Sequence, residues 1–382
     1  MRRDGSCRRA IVAASIALGA SLAFVRTARS QSASTAAVVP TAQFAMDARR
    51  SGRSSFLGPR SQPAIQWRVR ARRRVFSAPA LGDDGSVVFA GVDGVVHAVD
   101  GRTGVERWAY AAPGGVFASP ALTGELAILG HGGGAFIAVD RRGALRWRFA
   151  TEEDADASPT LALDGTVIVA SRGVAALDAR TGVARWRASG ARVLGGAAVS
   201  TDGSIVYADV EGSLRWLRAS DGGEIRRARV GSLVEGSPMV ADDGAVIVGA
   251  EDGHVRRFSA QGAVVWDVAL GGPVRTTPAL GRDGSIIVGS DDLHVHGLDG
   301  ATGARRWSVR TGGFIRASAR IDREGWIYVG SEDDRLLAIE PSGRLAWSVT
   351  LGADIDSSAL IVRDGAIAVG CDDGGLYLLS DR

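Results

Sequence analysis

Residues 98–108, AVDGRTGVERW, decide the fold, because the chain repeats this stretch and its flanks from about residue 65 to the C-terminus. Seven of the nine tryptophans stand at its last position, and an arginine fills the one remaining place. Neighbouring members of this tryptophan column are 39 to 41 residues apart: Trp67, Trp108, Trp147, Trp186, Arg226, Trp266, Trp307 and Trp347. A fixed period near forty residues indicates a repeat architecture.

Each repeat unit reads as four short strands. A small-residue strand such as SAPAL from Ser77 is followed by an Asp-Gly turn and a β-branched run, then by a second acidic turn and an alternating strand. A Thr-Gly or Ser-Gly turn leads into the tryptophan strand. Asp-Gly is a strong hairpin signal, and no part of the unit has helical periodicity. Because a lone sheet would leave two apolar faces in water, the units must stack around an axis.

The unit count predicts an all-β protein, an eight-bladed β-propeller of four-stranded antiparallel blades. Eight tryptophan-column positions match eight inner strands, but Trp67 precedes the first inner strand and no tryptophan follows the last. The two ends of the repeat are therefore offset by one strand. We expect residues 65–69 to complete the eighth blade, so that no sheet edge is left open.

The repeat carries a recognisable motif, A-x-D-x-x-T-G-x-x-x-W, complete at Ala98, Asp100, Thr103, Gly104 and Trp108. It resembles the tryptophan-docking motif of the quinoprotein, or PQQ-like, β-propeller repeat family. The resemblance covers roughly residues 65–379. A large ring at the same position of every sheet is suited to wedge between neighbouring blades.

One repeat departs from the motif. Arg226 stands in the tryptophan column, and Trp216 stands ten residues earlier where the motif has a small residue. We predict a size exchange, in which Trp216 fills the volume that Arg226 leaves and the guanidinium reaches solvent.

The N-terminal part of the chain has the pattern of an exported protein. Four arginines precede an apolar run at residues 10–25, which ends before the small-residue site Ala28-Arg29-Ser30. This is typical of a signal peptide, here residues 1–30, and it predicts a periplasmic or secreted protein with no transmembrane segment in the mature chain. The general and twin-arginine export routes both fit.

Residues 31–64 form a linker and lead-in segment, and residues 65–382 form the propeller. The linker is rich in Ser, Ala, Arg and Pro. Within it, residues 46–59 (MDARRSGRSSFLGP) resemble the lead-in found before the first blade of many bacterial proteins of the PQQ-like family. Two interpretations stay open: a disordered arginine-rich spacer, or a strap that lies across the propeller.

Charge and cysteine content narrow the class of protein. The whole sequence has a formal net charge of +3. Since residues 1–30 hold six arginines and one aspartate, the remainder carries about −2. We therefore expect no nucleic-acid partner and a monomeric protein. With only Cys7 and Cys371 in the sequence, no intrachain disulfide is expected in the mature chain.

The sequence gives little support to catalysis. Dehydrogenases of the resembled family bind a quinone and calcium in the channel and carry a disulfide between adjacent cysteines, and this chain has no adjacent cysteines. Of the five histidines, only His294 and His296 are close together, without an evident third ligand. We expect no catalytic residues, no cofactor and no metal site.

Two columns exceed what the fold requires. The first begins each inner strand, three residues before its proline or equivalent, and should surround the channel mouth: Phe76, Phe117, Asp156, Leu194, Glu235, Arg275, Arg316 and Asp356. One interpretation is a set of ion pairs of small energetic value. The other is a polar and aromatic recess for a ligand or peptide.

The second column is acidic and follows the second strand of blades five to eight. It comprises Glu251 and Asp252, Asp291 and Asp292, Glu332 with Asp333 and Asp334, and Asp372 with Asp373. A turn explains one aspartate per blade but not the second. These residues are either solvated turns or a half-ring of negative field suited to a basic partner or to calcium.

The sequence as a whole predicts an exported, non-catalytic propeller that scaffolds a protein partner in the bacterial cell envelope. If the acidic column is a binding surface, that partner is basic. By resemblance, the nearest functional analogue is the propeller lipoprotein of the outer-membrane β-barrel assembly machinery, although this chain lacks a lipobox. The alternative is a quinone-binding or other small-ligand enzyme or sensor that uses the channel. A fold of this kind does not decide between them.

Overall fold

A computed structural model describes residues 43–381, and residues 1–30 of the expected signal peptide lie outside that range. The described chain contains strands and turns and no helix. Its strands form eight antiparallel sheets. Each sheet consists of strands that are consecutive in sequence, except that the first strand of the chain belongs to the last sheet. The predicted eight-bladed β-propeller is confirmed.

The first half of the propeller contains sixteen strands, beginning with the strand that precedes blade one. In chain order these are β1 (Ala64–Arg70), β2 (Ala80–Leu81), β3 (Ser86–Ala90), β4 (Val95–Asp100), β5 (Glu106–Ala111), β6 (Ala121–Leu122), β7 (Leu126–His131), β8 (Ala135–Asp140), β9 (Leu145–Ala150), β10 (Thr160–Leu161), β11 (Thr166–Asp178), β12 (Ala184–Arg192), β13 (Ala198–Val199), β14 (Ile205–Ala208), β15 (Ser213–Leu217) and β16 (Glu224–Arg229).

The second half continues the same pattern through blades five to eight. Its strands are β17 (Met239–Val240), β18 (Val246–Gly249), β19 (His254–Phe258), β20 (Val264–Ala269), β21 (Ala279–Leu280), β22 (Ile286–Ser290), β23 (His294–Leu298), β24 (Arg305–Arg310), β25 (Arg320–Ile321), β26 (Ile327–Gly330), β27 (Arg335–Ile339), β28 (Leu345–Thr350), β29 (Leu360–Arg363), β30 (Ala366–Gly370) and β31 (Gly375–Ser380).

Blade three has a shortened hairpin. Between Thr166 and Asp178 the sequence is two residues shorter than the equivalent stretch of blade one, Ser86 to Asp100. The second and third strands therefore run together as the single element β11, with Gly173 at a φ of 79° in the turn. The other seven sheets have four separate strands.

The two ends of the described chain share one sheet. Strand β1 pairs antiparallel with β31, with Arg68 opposite Tyr377 and Val69 opposite Leu376. The last sheet therefore has the order β1-β31-β30-β29. The prediction that residues 65–69 complete the eighth blade is confirmed.

The tryptophan column joins each blade to the next. The ring of Trp147 packs on Gly182 in the Thr-Gly turn of the following blade, where an added Cβ would lie 2.6 Å from Cδ2 of the ring. The same turn accepts the indole N–H, since Nε1 of Trp147 donates to the carbonyl of Ala179 at 2.9 Å. Gly182 also has a φ of 71°. The motif therefore needs glycine both for the turn and for the ring.

A ring of hydroxyl groups also links the blades, at the start of the inner strands. In six places a backbone N–H donates to the hydroxyl of the next blade, at 2.8–3.0 Å. The accepting residues are Ser119, Ser158, Ser237, Thr277, Ser318 and Ser358. Two positions of this hydroxyl ring carry no hydroxyl, Ala78 and Gly196. The ring is thus interrupted between blades eight and one and between blades three and four.

The lead-in crosses the propeller as a strap, residues 43–59. Its carbonyls accept N–H bonds from the same position of four successive inner strands: Val199, Val240, Leu280 and Ile321. Those donors would otherwise lack a strand partner. The structure therefore supports the second interpretation of residues 46–59, in which they form a strap across the propeller.

Arg50 of the strap is fully buried at the interruption between blades three and four. Its guanidinium donates to the carbonyls of Ser158 at 2.8 Å and Ala197 at 3.0 Å, and to Oγ1 of Thr160 at 2.5 Å. A Cβ on Gly196 would lie 2.3 Å from its Nη2 atom. Arg50 therefore fills the space beside Gly196 and satisfies carbonyls of both blades, but a guanidinium only donates and does not accept the N–H of Ser158 as a ring hydroxyl would. Burial lowers the pKa of Arg50 to about 9, partly offset by Asp47.

The exceptional repeat behaves largely as predicted. Trp216 is fully buried, and the guanidinium of Arg226 lies 5.4 Å from the centre of its ring. Arg226 is half-buried, and Nη1 is inaccessible without a partner among the described residues. The arginine therefore covers the tryptophan ring and does not extend freely into solvent.

Replacing Arg50 with Ala should lower the free energy of unfolding by roughly 2–4 kcal/mol, because buried carbonyls lose a charged donor. The control is Arg49→Ala, which removes an exposed ion pair with Asp242 and should cost under about 1 kcal/mol. Denaturant unfolding of the two variants measures both values. Equal costs would contradict the role assigned to Arg50.

Replacing Trp216 with Ala should cost roughly 3–5 kcal/mol, as expected for a large side chain in a well-packed site. Arg226→Ala should cost less, since it removes only a half-buried cover. Thermal or denaturant unfolding tests this, and a Trp216→Ala cost under about 1 kcal/mol would show that the ring does not support the blade interface.

Candidate functional site

The central channel forms a recess of about 320 Å³ that opens on one face. Phe44 of the strap and the hydroxyl ring line its inner part, and the strap crosses the ends of the inner strands away from the rim. All eight residues of the first predicted column line this recess: Phe76, Phe117, Asp156, Leu194, Glu235, Arg275, Arg316 and Asp356. The geometry therefore agrees with a channel-mouth column.

Ion pairs join the two predicted columns at the rim. The guanidinium of Arg275 lies 3.1 Å from Glu235, 2.6 Å from Glu251 and in contact with Asp291. Arg316 lies 2.8 Å from Glu332. The first acid of each turn thus faces the recess and meets the residues of the first column.

The second acid of each turn faces its own blade. Asp252 accepts from Arg256 at 2.7 Å, Asp333 from Arg335, and Asp373 from the hydroxyl of Tyr377 at 2.5 Å. These carboxylates hold the hairpin that follows them. The acidic turns therefore do not act as one uniform half-ring, because only one acid per turn is directed to the recess and arginines compensate part of that charge.

Asp356 is the least compensated group at the rim. Its residue surface is 9% exposed, and its Oδ1 atom has no hydrogen-bond partner among residues 43–381. Burial, together with the neighbouring carboxylates Asp372 and Glu332, raises the pKa of Asp356 to about 7. Burial also raises the pKa of Glu235 and of Glu332. A cation entering here would meet carboxylates that lack full compensation.

An aromatic pair lies next to Asp356 in the ring, on blades one and two. The rings of Phe76 and Phe117 are 5.9 Å apart in an edge-to-face arrangement, and Phe117 is 38% exposed. Next to them, Asp156 pairs with Arg192 at 3.2 Å. Exposed aromatic faces and carboxylates together suit an ammonium or guanidinium group.

The hydroxyls of the ring accept backbone N–H groups, as Ser119 does from Ala78, and no histidine lines the described recess.

Sequence reasoning missed two features. Phe44 lies in the lead-in, where no periodicity marks it, and its place in the recess depends on the strap. Asp292, His294 and His296 gather within 4.8 Å of one another, which supplies the third potential ligand that the sequence analysis did not see. Alternation along a strand was the available signal, since residues 292, 294 and 296 share one face.

Comparison with protein families gives a direct match. The family model described as "Outer membrane protein assembly factor BamB", built on PQQ-type repeats, matches residues 60–193 and 170–313. The chain belongs to this family. The predicted resemblance to PQQ-like propellers, and to the propeller of the outer-membrane assembly machinery, is thereby confirmed.

Solved structures similar to this BamB-family chain include a BamB and two dehydrogenases. BamB from Moraxella catarrhalis is 19% identical, with a TM-score of 0.70, over 84% of this chain and 100% of that one. A europium-containing methanol dehydrogenase is 11% identical, with a TM-score of 0.79, over 91% and 99%. Quinohemoprotein alcohol dehydrogenase from Comamonas testosteroni is 14% identical, with a TM-score of 0.75, over 91% and 81%. At these identities the likeness shows the fold alone.

A search of curated proteins finds no match. In residues 43–381, no helix has the length and apolarity needed to cross a membrane.

Replacing Asp356 with Asn should raise the free energy of unfolding near pH 8 by roughly 1–3 kcal/mol. The raised pKa means that the folded state holds the Asp356 proton more tightly than the unfolded chain, whose aspartates titrate near about 3.9. The stability of the wild type therefore declines as the pH rises from about 4 to about 7. Near pH 3 the two proteins should differ little. A difference that does not change with pH would contradict this assignment.

Proposed function

We propose that the protein is an exported, non-catalytic scaffold of the bacterial cell envelope that binds a basic segment of a partner protein at the open face of the propeller. The observation that carries the proposal is the under-compensated carboxylate group around Asp356, beside an exposed aromatic pair. Family membership supports protein contact as the mode of action.

The charge of the rim supports a cationic segment. Burial, together with the neighbouring carboxylate of Asp372, raises the pKa of both Asp354 and Asp356, as expected for carboxylates held close together. Arg74 contacts this group, pairing with Asp372 at 3.0 Å, and is itself largely exposed. A lysine or arginine side chain entering the recess would relieve that repulsion.

Localisation and segment roles complete the proposal. Residues 1–30 act as a cleaved signal peptide, which delivers the chain to the periplasm or beyond. Residues 31–64 act as linker and lead-in, and residues 65–382 act as the propeller domain, with no nucleic-acid partner and a monomeric state.

The second candidate is a quinone-dependent enzyme or sensor, which the two dehydrogenase structures favour through their fold. An anionic cofactor such as pyrroloquinoline quinone, a tricarboxylate, would meet Asp156, Glu235 and Asp356 in this recess. Like charges in a partly buried site disfavour such a ligand. We therefore rank it second.

The double variant Asp354→Asn/Asp356→Asn should weaken capture of a basic partner from periplasmic extract, measured by cross-linking and quantitative mass spectrometry. Neither residue has an ion-pair partner in the described chain, so no arginine is left unpaired. Capture by the wild type should also fall with added salt, because ions screen charges over about 10 Å at 0.1 M.

The control is Asp83→Asn/Glu125→Gln, which removes two acids from turns on the opposite face. It also breaks an exposed ion pair between Asp83 and Arg141, whose loss should cost under about 1 kcal/mol of folding stability. It should leave capture unchanged. Equal loss in both double variants, or none in either, would contradict a binding face at the recess. Saturable binding of pyrroloquinoline quinone with alcohol-dependent dye reduction would support the second candidate.

A further inference from the structure

A cluster of two histidines and an aspartate lies outside the recess, at the hairpin of blade six. Asp292 ends the turn before β23, and His294 and His296 stand at alternate positions of that strand. Oδ2 of Asp292 lies 2.9 Å from Nε2 of His296, and Oδ1 lies 3.6 Å from Nδ1 of His294. One ligand atom from each residue falls within 4.8 Å of the others.

The cluster is partly enclosed and reachable from solvent. The His296 side chain is 1% exposed, Asp292 is 13% exposed and His294 is 32% exposed. His294 therefore forms the accessible edge of the group, and His296 forms its inner wall. Because exposure increases from His296 to His294, an ion and one further metal ligand can reach the group from solvent.

The aspartate is held in place by the backbone. Its Oδ2 accepts the N–H of Gly271 at 3.0 Å, and its Oδ1 accepts the N–H of His294 at 3.0 Å. Backbone donors of this kind orient a carboxylate before an ion arrives, as second-shell partners do in metal sites.

The other blades show what normally faces this carboxylate. In blade five, Arg256 occupies the position of His296 and its guanidinium contacts Asp252 at 2.7 Å. In blade eight the position is Tyr377, whose hydroxyl donates to Asp373. Among blades five to eight, blade six alone offers imidazoles at both strand positions. In blade seven Leu337 stands at this position, and Arg335 contacts Asp333 from the place of His294. A hydrogen-bond donor thus faces the carboxylate in blades five, seven and eight, whereas blade six has imidazoles, which can also coordinate an ion through a ring nitrogen.

We propose that Asp292, His294 and His296 form a binding site for a divalent first-row transition metal, of which Zn²⁺ is the best match. Two imidazole nitrogens and one carboxylate oxygen are ligands that Zn²⁺ accepts in proteins. The ion takes the place that the Arg256 guanidinium fills in blade five. Three protein ligands leave a coordination position for water or for a side chain of a bound partner.

The test is a titration of the untagged protein with Zn²⁺ by isothermal calorimetry, because a polyhistidine tag binds the same metals. We expect one saturable site, and a thermal midpoint that rises with Zn²⁺ and does not rise with Mg²⁺. Co²⁺ should give the visible absorption of a tetrahedral or five-coordinate centre with nitrogen ligands.

Two variants reproduce patterns that the propeller already tolerates. His296→Arg copies blade five, and His294→Val copies blade one, which has Asp93, Val95 and His97 in the equivalent places. Each should weaken Zn²⁺ binding about tenfold or more while the metal-free thermal midpoint changes little. The matched control is His254→Val, the same substitution at the equivalent place of blade five, which should bind Zn²⁺ like the wild type.

The proposal is overturned if calorimetry shows no saturable site, or if His296→Arg binds Zn²⁺ as tightly as the wild type. It is also overturned if His254→Val and His294→Val weaken binding equally, because the ion would then sit elsewhere. These readouts do not depend on any partner, so they remain informative whether or not the open face binds a protein.

Discussion

The contact between a column tryptophan and the glycine turn of the next blade, made by six of the seven column tryptophans, is the constraint on which the structure depends. It joins sheets that share no strand, and it combines ring packing with an indole N–H bond to a turn carbonyl, as between Trp186 and Ala219 at 2.7 Å. The carbonyl and the glycine belong to one turn. The aspartate and threonine that stabilise this turn therefore also position the binding site for the tryptophan ring. Asp178 accepts the N–H and the hydroxyl of Thr181 at 2.9 Å. The period near forty residues is a consequence of this contact.

The strap completes the ring where the repeat cannot. Blade eight takes its outer strand from the N-terminus and so lacks the Thr-Gly turn on which Trp347 would dock. Pro59 supplies the missing acceptor, with its carbonyl 3.0 Å from Nε1 of Trp347. At Gly196, Arg50 fills the space that the absent side chain leaves and donates to carbonyls of blades three and four. The lead-in therefore stabilises the two places where the repeat is interrupted, and it also brings Phe44 into the recess.

Sequence reasoning succeeded where one residue type repeats and failed where contacts are made once. The tryptophan column and the Asp-Gly turns predicted the blades, the closure by residues 65–69 and the burial of Trp216. The partners of Arg50 lie more than a hundred residues away, in two different blades, and no periodicity links them to the strap. For the same reason the sequence could not show that Asp291 meets Arg275 while Asp292 turns toward His296.

The two acids of each acidic turn have different structural roles, and this difference explains why a binding function is best sought at the rim. In blades five to eight, docking uses the tryptophan and its turn, stacking uses the hydroxyl ring, and the hairpin uses the second acid. Substitution at any of these positions disturbs the fold. The residues that begin the inner strands have none of these tasks, and they vary from phenylalanine to leucine, arginine and aspartate around one ring. A buried carboxyl such as Asp356 destabilises the fold at neutral pH. No ion pair among the described residues compensates its charge, and the cationic segment that we propose for this face would do so.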